Sequence, residues 1–222
     1  VSLINAVIAQ EDTAFCIGDS LTMSVFESGN SQSITNSMLV VPVAYSSIQS
    51  AIDNASNGDT IYVKNGVYYE NINFNGKSLT LLGENKFATV LDGSNGNSSV
   101  VHLDGSSTIS QFTIRNGKGT LNYVTSRYGG GIFAPSGSNL IVDCIFETNN
   151  LDLTIDSRGG GVYANASTTI NNCHFINNSV SQYGAAINGG IIKNCLIENH
   201  SNGSGTIFQP TSIHNTIIRN NS

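Results

Sequence analysis

The chain has 222 residues, a formal net charge of −6 and only 11% charged residues, less than half the usual share of about 25%. Asn and Ser each occur 29 times, Ile 24 times and Gly 23 times, and Trp is absent. That composition has too much apolar content for a disordered chain and too few helix formers for a helix bundle. It has too little clustered Lys and Arg to grip nucleic acid, and no run of about 18 apolar residues to span a bilayer.

Residues 1–45 read as a separate N-terminal segment. Val1 to Ala9 is apolar and ends in small residues ahead of Gln10-Glu11-Asp12. That reads either as the tail of a secretory signal lacking its basic region or as a short strand. Leu21–Phe26 and Met38–Tyr45 are strand-like, and Pro42 assigns the latter to an edge or a connection. Cys16 lies in this segment, outside any repeat.

From residue 46 onward the chain repeats. Five segments align without gaps, beginning at Ile109, Ile141, Ile170, Ile192 and Ile213 and ending at Asn116, Thr148, Asn177, Asn199 and Asn220. Their pattern is Ile-x-x-(Cys/Phe/Thr)-x-(Ile/Phe)-x-Asn. A second column precedes the last four: Ile132, Val162, Ile187 and Ile207, with Val101 playing this part for the first. Two-residue alternation inside each copy, at spacings of 20–30 residues, is what stacked parallel strands require. The Asn116 column suits left-handed turns, and its amides are expected to bond from one rung to the next.

Ser47 to Val63 (SIQSAIDNASNGDTIYV), Gly66-Val-Tyr-Tyr-Glu-Asn71 and Leu79-Thr-Leu-Leu-Gly83 resemble the opening of right-handed parallel β-helix proteins of the pectate-lyase-like superfamily. The resemblance implies that an amphipathic helix at 47–55, with Ile48, Ile52 and Ala55 on one face, caps the N-terminal end of the coil. Gly129-Gly130-Gly131-Ile132 with Phe146-Glu-Thr-Asn149, and Gly159-Gly160-Gly161-Val162 with Phe175-Ile-Asn-Asn178, resemble repeats of polymorphic outer-membrane-protein adhesins. The expected fold is therefore an all-β right-handed parallel β-helix solenoid of seven or eight rungs over 46–222.

Function is less legible. Cys144, Cys173 and Cys195 share one inward column and read as apolar thiols stacked in a dry core. No Cys/His spacing suits a metal, and neither metal nor cofactor is expected. Glu198 and Arg219 are expected to pair on adjacent rungs. His174 is the best single base by exposure, but no carboxylate shares its column. Asp92-Gly93 and Asp104-Gly105 read as turns that could take calcium, and Arg127 and Arg158 as loop residues or a substrate-facing edge. The outward residues Phe133, Tyr163 and Phe208 form an aromatic file. Its cover is expected from residues 1–45, from a neighbouring subunit or from sugar rings, which makes these three the candidate binding residues. The variable loops 117–128, 149–158 and 177–183 are where partner recognition is expected.

The sequence stops directly after a full repeat, so the expectation is either a fragment of a longer protein or an end covered by another molecule through strand addition, with residues 1–45 as a candidate cover in trans. The reading is a secreted or cell-surface structural or adhesive solenoid without catalytic residues or enzymatic activity, with self-association or another surface protein as partner. The alternative is a carbohydrate-active protein, either a lyase- or hydrolase-like enzyme or a glycan-binding module. The two part on one observation: an enzyme needs carboxylates converging in a groove.

Overall fold

The computed structural model describes residues 37–123, 125–151, 156–201 and 204–222. Cys16 and the strand-like piece Leu21–Phe26 lie outside the described residues. The remainder winds as a right-handed parallel β-helix whose rungs contribute to an eight-stranded, a seven-stranded and a six-stranded sheet. Every pairing within these three sheets is parallel. The strand Met38–Val41 pairs with Thr60–Val63 as the first of the eight, so the coil takes in part of the segment assigned to 1–45. It lies at the sheet edge and Pro42 follows it, where a missing N–H costs no ladder bond.

The repeat columns become physical stacks. In the first sheet Ile109, Ile141, Ile170, Ile192 and Ile213 are register partners. In the second, Ile114, Phe146, Phe175, Ile197 and Ile218 stack, with the Phe146 and Phe175 rings 4.6 Å apart and nearly parallel. In the third, Val101, Ile132, Val162, Ile187 and Ile207 stack. Between the first two sheets, Phe112, Cys144, Cys173 and Cys195 turn inward and are buried, and the three thiols are free. Burial pushes the Cys173 thiol well up, which fits an inert core sulfur rather than a reactive one.

Helix Ile48–Asn54 buries Ile48, Ala51 and Ile52 against the first rungs. Ser47 is its N-cap, in a capping box with Ser50. The Glu70 carboxylate accepts the free N–H groups of Ile48 and Gln49 at 2.9 and 3.0 Å, satisfying donors that a helix start leaves open.

The connection from the second sheet to the third depends on left-handed backbone at both its ends. Asn116, Thr148, Asn177, Asn199 and Asn220 all have φ between 51° and 59°, as Asn tolerates. The expected amide ladder, however, runs through the residues after Thr148, Asn177 and Asn220. Asn149 Nδ2 donates to Asn178 Oδ1 and to the Ile114 carbonyl, Asn178 Nδ2 to the Phe146 carbonyl, and Asn221 Nδ2 to the Ile197 carbonyl. His200 takes the Asn place in this ladder, its Nδ1 accepting the Asn178 N–H at 3.0 Å. Ahead of the third sheet, Gly129, Gly159 and Gly184 have φ of 62°, 69° and 67°, and a Cβ there would collide with the carbonyl of Ile132, Val162 or Ile187.

Candidate functional site

Inward side chains being spent on the core, chemistry is left to the outward positions. On the third sheet these are Asn73, His102, Phe133, Tyr163, Asn188 and Phe208, in register. The three sequence-predicted binding residues therefore do share one file. Phe133 is only 6% exposed, lying 5.1 Å from the His102 ring and 6.4 Å from that of Tyr128. Tyr128 also stacks on Tyr163 at 4.9 Å, and Tyr183 on Phe208 at 4.5 Å.

The cover comes from the chain's own variable loops, a source the sequence reading did not consider. They form a small sheet of Thr120–Tyr123, Ser126–Tyr128 and Asp156–Arg158. Arg158 bridges the cover, its guanidinium lying over Tyr128 and Tyr183 and paired to Asp156 at 2.8 Å. Arg127 is spent on the carbonyls of Asn97, Lys118 and Gly119. Neither arginine is left free to line a substrate edge.

The outward face of the second sheet is built differently. One column reads Asp92, Arg115, Glu147, Ile176, Glu198 and Arg219, in register across successive strands, about 4.8 Å apart. Arg115 bonds Asp92 at 2.8 Å and reaches Glu147 at 3.5 Å. Asp92 is buried and also accepts from Asn116 Nδ2 and the Ser94 N–H. Burial pushes its carboxyl up, but the bonds from Asn116, Arg115 and Ser94 outweigh this and hold it below the ordinary carboxylate value, so it stays ionised. Asp104 accepts the Gly76 N–H. The two Asp-Gly carboxylates thus have separate commitments rather than one shared calcium site. Glu147 remains a third exposed.

Beside this column, at the corner following the sheet, Ser94, Asn116, Gly117, Lys118, Thr148 and Asn150 line an open cavity of about 420 Å³. Its volume falls within the range of small-ligand clefts, about 300–1,000 Å³.

Farther along the same face, His174 Nε2 lies 3.0 Å from Glu198 Oε1, and Arg219 Nε donates to Glu198 Oε2 at 2.7 Å. The Glu198–Arg219 pair matches expectation. As expected, no carboxylate shares the His174 column, but one reaches it diagonally, from the neighbouring column of the next strand. Arg219, then the His174 ring, hold Glu198 below the usual carboxylate range. Arginine, histidine and carboxylate thus form a relay on a floor that includes Ile145, Ile176 and Leu196, which are its strand neighbours.

Fold and site together define a parallel β-helix with a charged outer face beside a cavity. A pectin methylesterase point mutant solved in complex with a hexasaccharide is similar, with 16% identity and a TM-score of 0.52, over 81% of this chain and 66% of that one. Carrot pectin methylesterase is 14% identical over 85% and 84% of the two chains, with a TM-score of 0.45. The Aspergillus niger enzyme is 14% identical over 91% and 88%, with a TM-score of 0.43. No family model matches the chain, and no curated protein does; the adhesin resemblance finds no counterpart. At these identities the likeness establishes the fold.

The expectation of a chain without enzymatic activity is nevertheless overturned. The pectin methylesterase solved with a hexasaccharide, which shares this fold, is an enzyme. These likenesses lend no support to the structural or adhesive reading. Among the described residues no helix is long and apolar enough to cross a membrane.

Proposed function

We propose that this protein is an extracellular carbohydrate-active enzyme that holds a polysaccharide along the outer face of the second sheet and hydrolyses an ester on it. The observation that carries the reading is the column Asp92–Arg115–Glu147 standing beside the cavity of Asn116, Lys118, Thr148 and Asn150. Amide, hydroxyl and ammonium groups at one mouth suit the hydroxyls and carboxylates of sugar residues. The aromatic file of Phe133, Tyr163 and Phe208 is the weaker alternative, because the chain's own Tyr128 and Tyr183 already lie against it.

Ester hydrolysis is favoured over cleavage of the glycosidic bond by the state of the acids. A glycosidase needs one carboxyl held protonated to protonate its leaving group. Here Asp92 and Glu198 are both held below the usual range by paired cations and amides, and Glu147 faces Arg115. Ester hydrolysis asks only for a base to activate water and for positive charge near the developing oxyanion.

The test is binding and product release by the full chain. A methyl-esterified polyuronate and an acetylated neutral polysaccharide are offered in turn, with retardation in affinity electrophoresis and release of methanol or acetate as readouts. Lys118→Glu is expected to weaken retardation while leaving the thermal transition in place. Absence of both retardation and release on both polymers would overturn the proposal.

A further inference from the structure

We infer that His174 is the catalytic base of this face, with Glu198 as its positioning residue and Arg219 fixing Glu198 in turn. This rests on the esterase reading and names the group that does its chemistry. The geometry is that of a carboxylate-oriented imidazole. Glu198 accepts from Nε2 at 3.0 Å and is itself gripped by Arg219 at 2.7 Å, so the carboxylate orients the ring and the arginine holds the carboxylate. Engaging Nε2 as the donor leaves the Nδ1 lone pair to accept a proton. Nδ1 has no protein partner among the described residues, and the His174 side chain is 33% exposed.

The other histidines lack this combination. His200 is buried in the turn ladder and uses its Nδ1 there. His102 is packed against Phe133. His214 is exposed but has no carboxylate partner. His174 also lies one strand beyond Glu147, across the pairing of Ile145 with His174.

The step balances without a cofactor. Nδ1 takes a proton from water as the water oxygen bonds to the ester carbonyl carbon. The resulting tetrahedral oxyanion collapses with cleavage of the carbon–oxygen bond, and the leaving alkoxide takes the proton back from the imidazolium. The products are a carboxylic acid and an alcohol, and Glu198 carries the countercharge while the ring is cationic.

The experiment compares the full chain with His174→Ala, Glu198→Gln and the control His214→Ala on the two esterified polysaccharides and on p-nitrophenyl acetate, a small ester that needs no groove. His174→Ala is expected to lower kcat about 100-fold or more with KM within about twofold. Free imidazole in the assay is expected to restore part of the loss, which a merely structural role would not allow. Glu198→Gln is expected to lower kcat at unchanged KM, since it keeps a hydrogen-bond acceptor for the ring but removes the negative charge. His214→Ala is expected to change nothing. Because Glu198 retains Arg219 in the His174 variant, folding is preserved, and His174→Gln serves as a second variant if it is not.

Polysaccharide bound and hydrolysed equally well by His174→Ala would overturn the base assignment while leaving the reading of the groove intact. His174-dependent hydrolysis of p-nitrophenyl acetate without binding or cleavage of either polymer would support the base and overturn the groove. No hydrolysis of any of the three esters would overturn both.

Discussion

The outward file of the third sheet, with Phe133, Tyr163 and Phe208, is overlaid by corner loops of the same chain, whereas the charges in the outward column of the second sheet pair along the column and with its immediate neighbours. The aromatics find their cover in Tyr128, Tyr183 and Arg158. The charges pair along their own column, Asp92 with Arg115 and Glu198 with Arg219. Both faces rest on the same kind of inward aliphatic and aromatic stack, so the contrast lies in the outward residues and the loop lengths. An apolar file is stabilised by being closed over, and closure removes it from ligands. A charged face that pairs internally can stay in contact with water: Arg115, Glu147 and His174 remain about a third exposed, and Arg219 more than half.

Several substitutions would break or sharpen this contrast. Phe175→Ala removes a fully buried ring stacked on Phe146 beneath the second sheet and should cost about 3–5 kcal/mol in urea unfolding; a loss under about 1 kcal/mol would mean that the shared core is not what supports the face. Tyr128→Ala should cost somewhat less, about 2–3 kcal/mol, and should raise dye binding to the exposed Phe133 while leaving polysaccharide retardation unchanged. If retardation fell with it, the aromatic file would be part of the binding face after all.

The next effect depends on pH. Burial depresses the imidazole pKa of His200 and of His102, so below about pH 6.5 the unfolded chain binds more protons than the folded one. Stability should therefore fall as pH drops from about 6.5 toward the depressed folded values, by about 1.4 kcal/mol for each unit of depression. Asp92, Asp156 and Glu198, all lowered in the fold, add a separate loss below about pH 4. His200→Asn continues the ladder of Asn149, Asn178 and Asn221 with the residue type it otherwise uses, and should flatten the upper slope. An unchanged slope would assign it to His102 alone.

Glu147→Gln is expected to have the smallest effect on stability, under about 0.5 kcal/mol, because an exposed ion pair contributes little. Its polysaccharide turnover should nonetheless fall measurably. A large loss of stability with intact turnover would make the column structural rather than functional.

The core was legible in the sequence because a parallel coil repeats it. Ile109, Ile141, Ile170, Ile192 and Ile213 occupy equivalent places in five segments and become direct register partners. The asparagine corners were legible only to within one residue. The pairs Asn177-Asn178 and Asn220-Asn221 look interchangeable as sequence, yet the first member takes the left-handed backbone and the second turns its amide into the ladder. The His174–Glu198 contact was invisible to column-by-column reading, because long side chains on neighbouring strands meet across the diagonal. The cover of Phe133 was hidden for another reason: loops of unequal length, without a repeat, give no pattern from which to place Tyr128.

The two corners of the rung also differ in elasticity. Between the first and second sheets the connection runs over 84–88 in an early rung but is two residues in each of the last five, at 111–112, 143–144, 172–173, 194–195 and 215–216. Between the second and third it runs over 116–131, 148–161, 177–186 and 199–206. Length varies there without disturbing the register of the strands on either side, as loop-closure entropy permits. That corner is a natural insertion port. A foreign peptide spliced into it would be displayed beside the cavity at a height set by the rung chosen, and the coil would serve as a graduated scaffold for placing a recognition loop at a fixed distance from the candidate base.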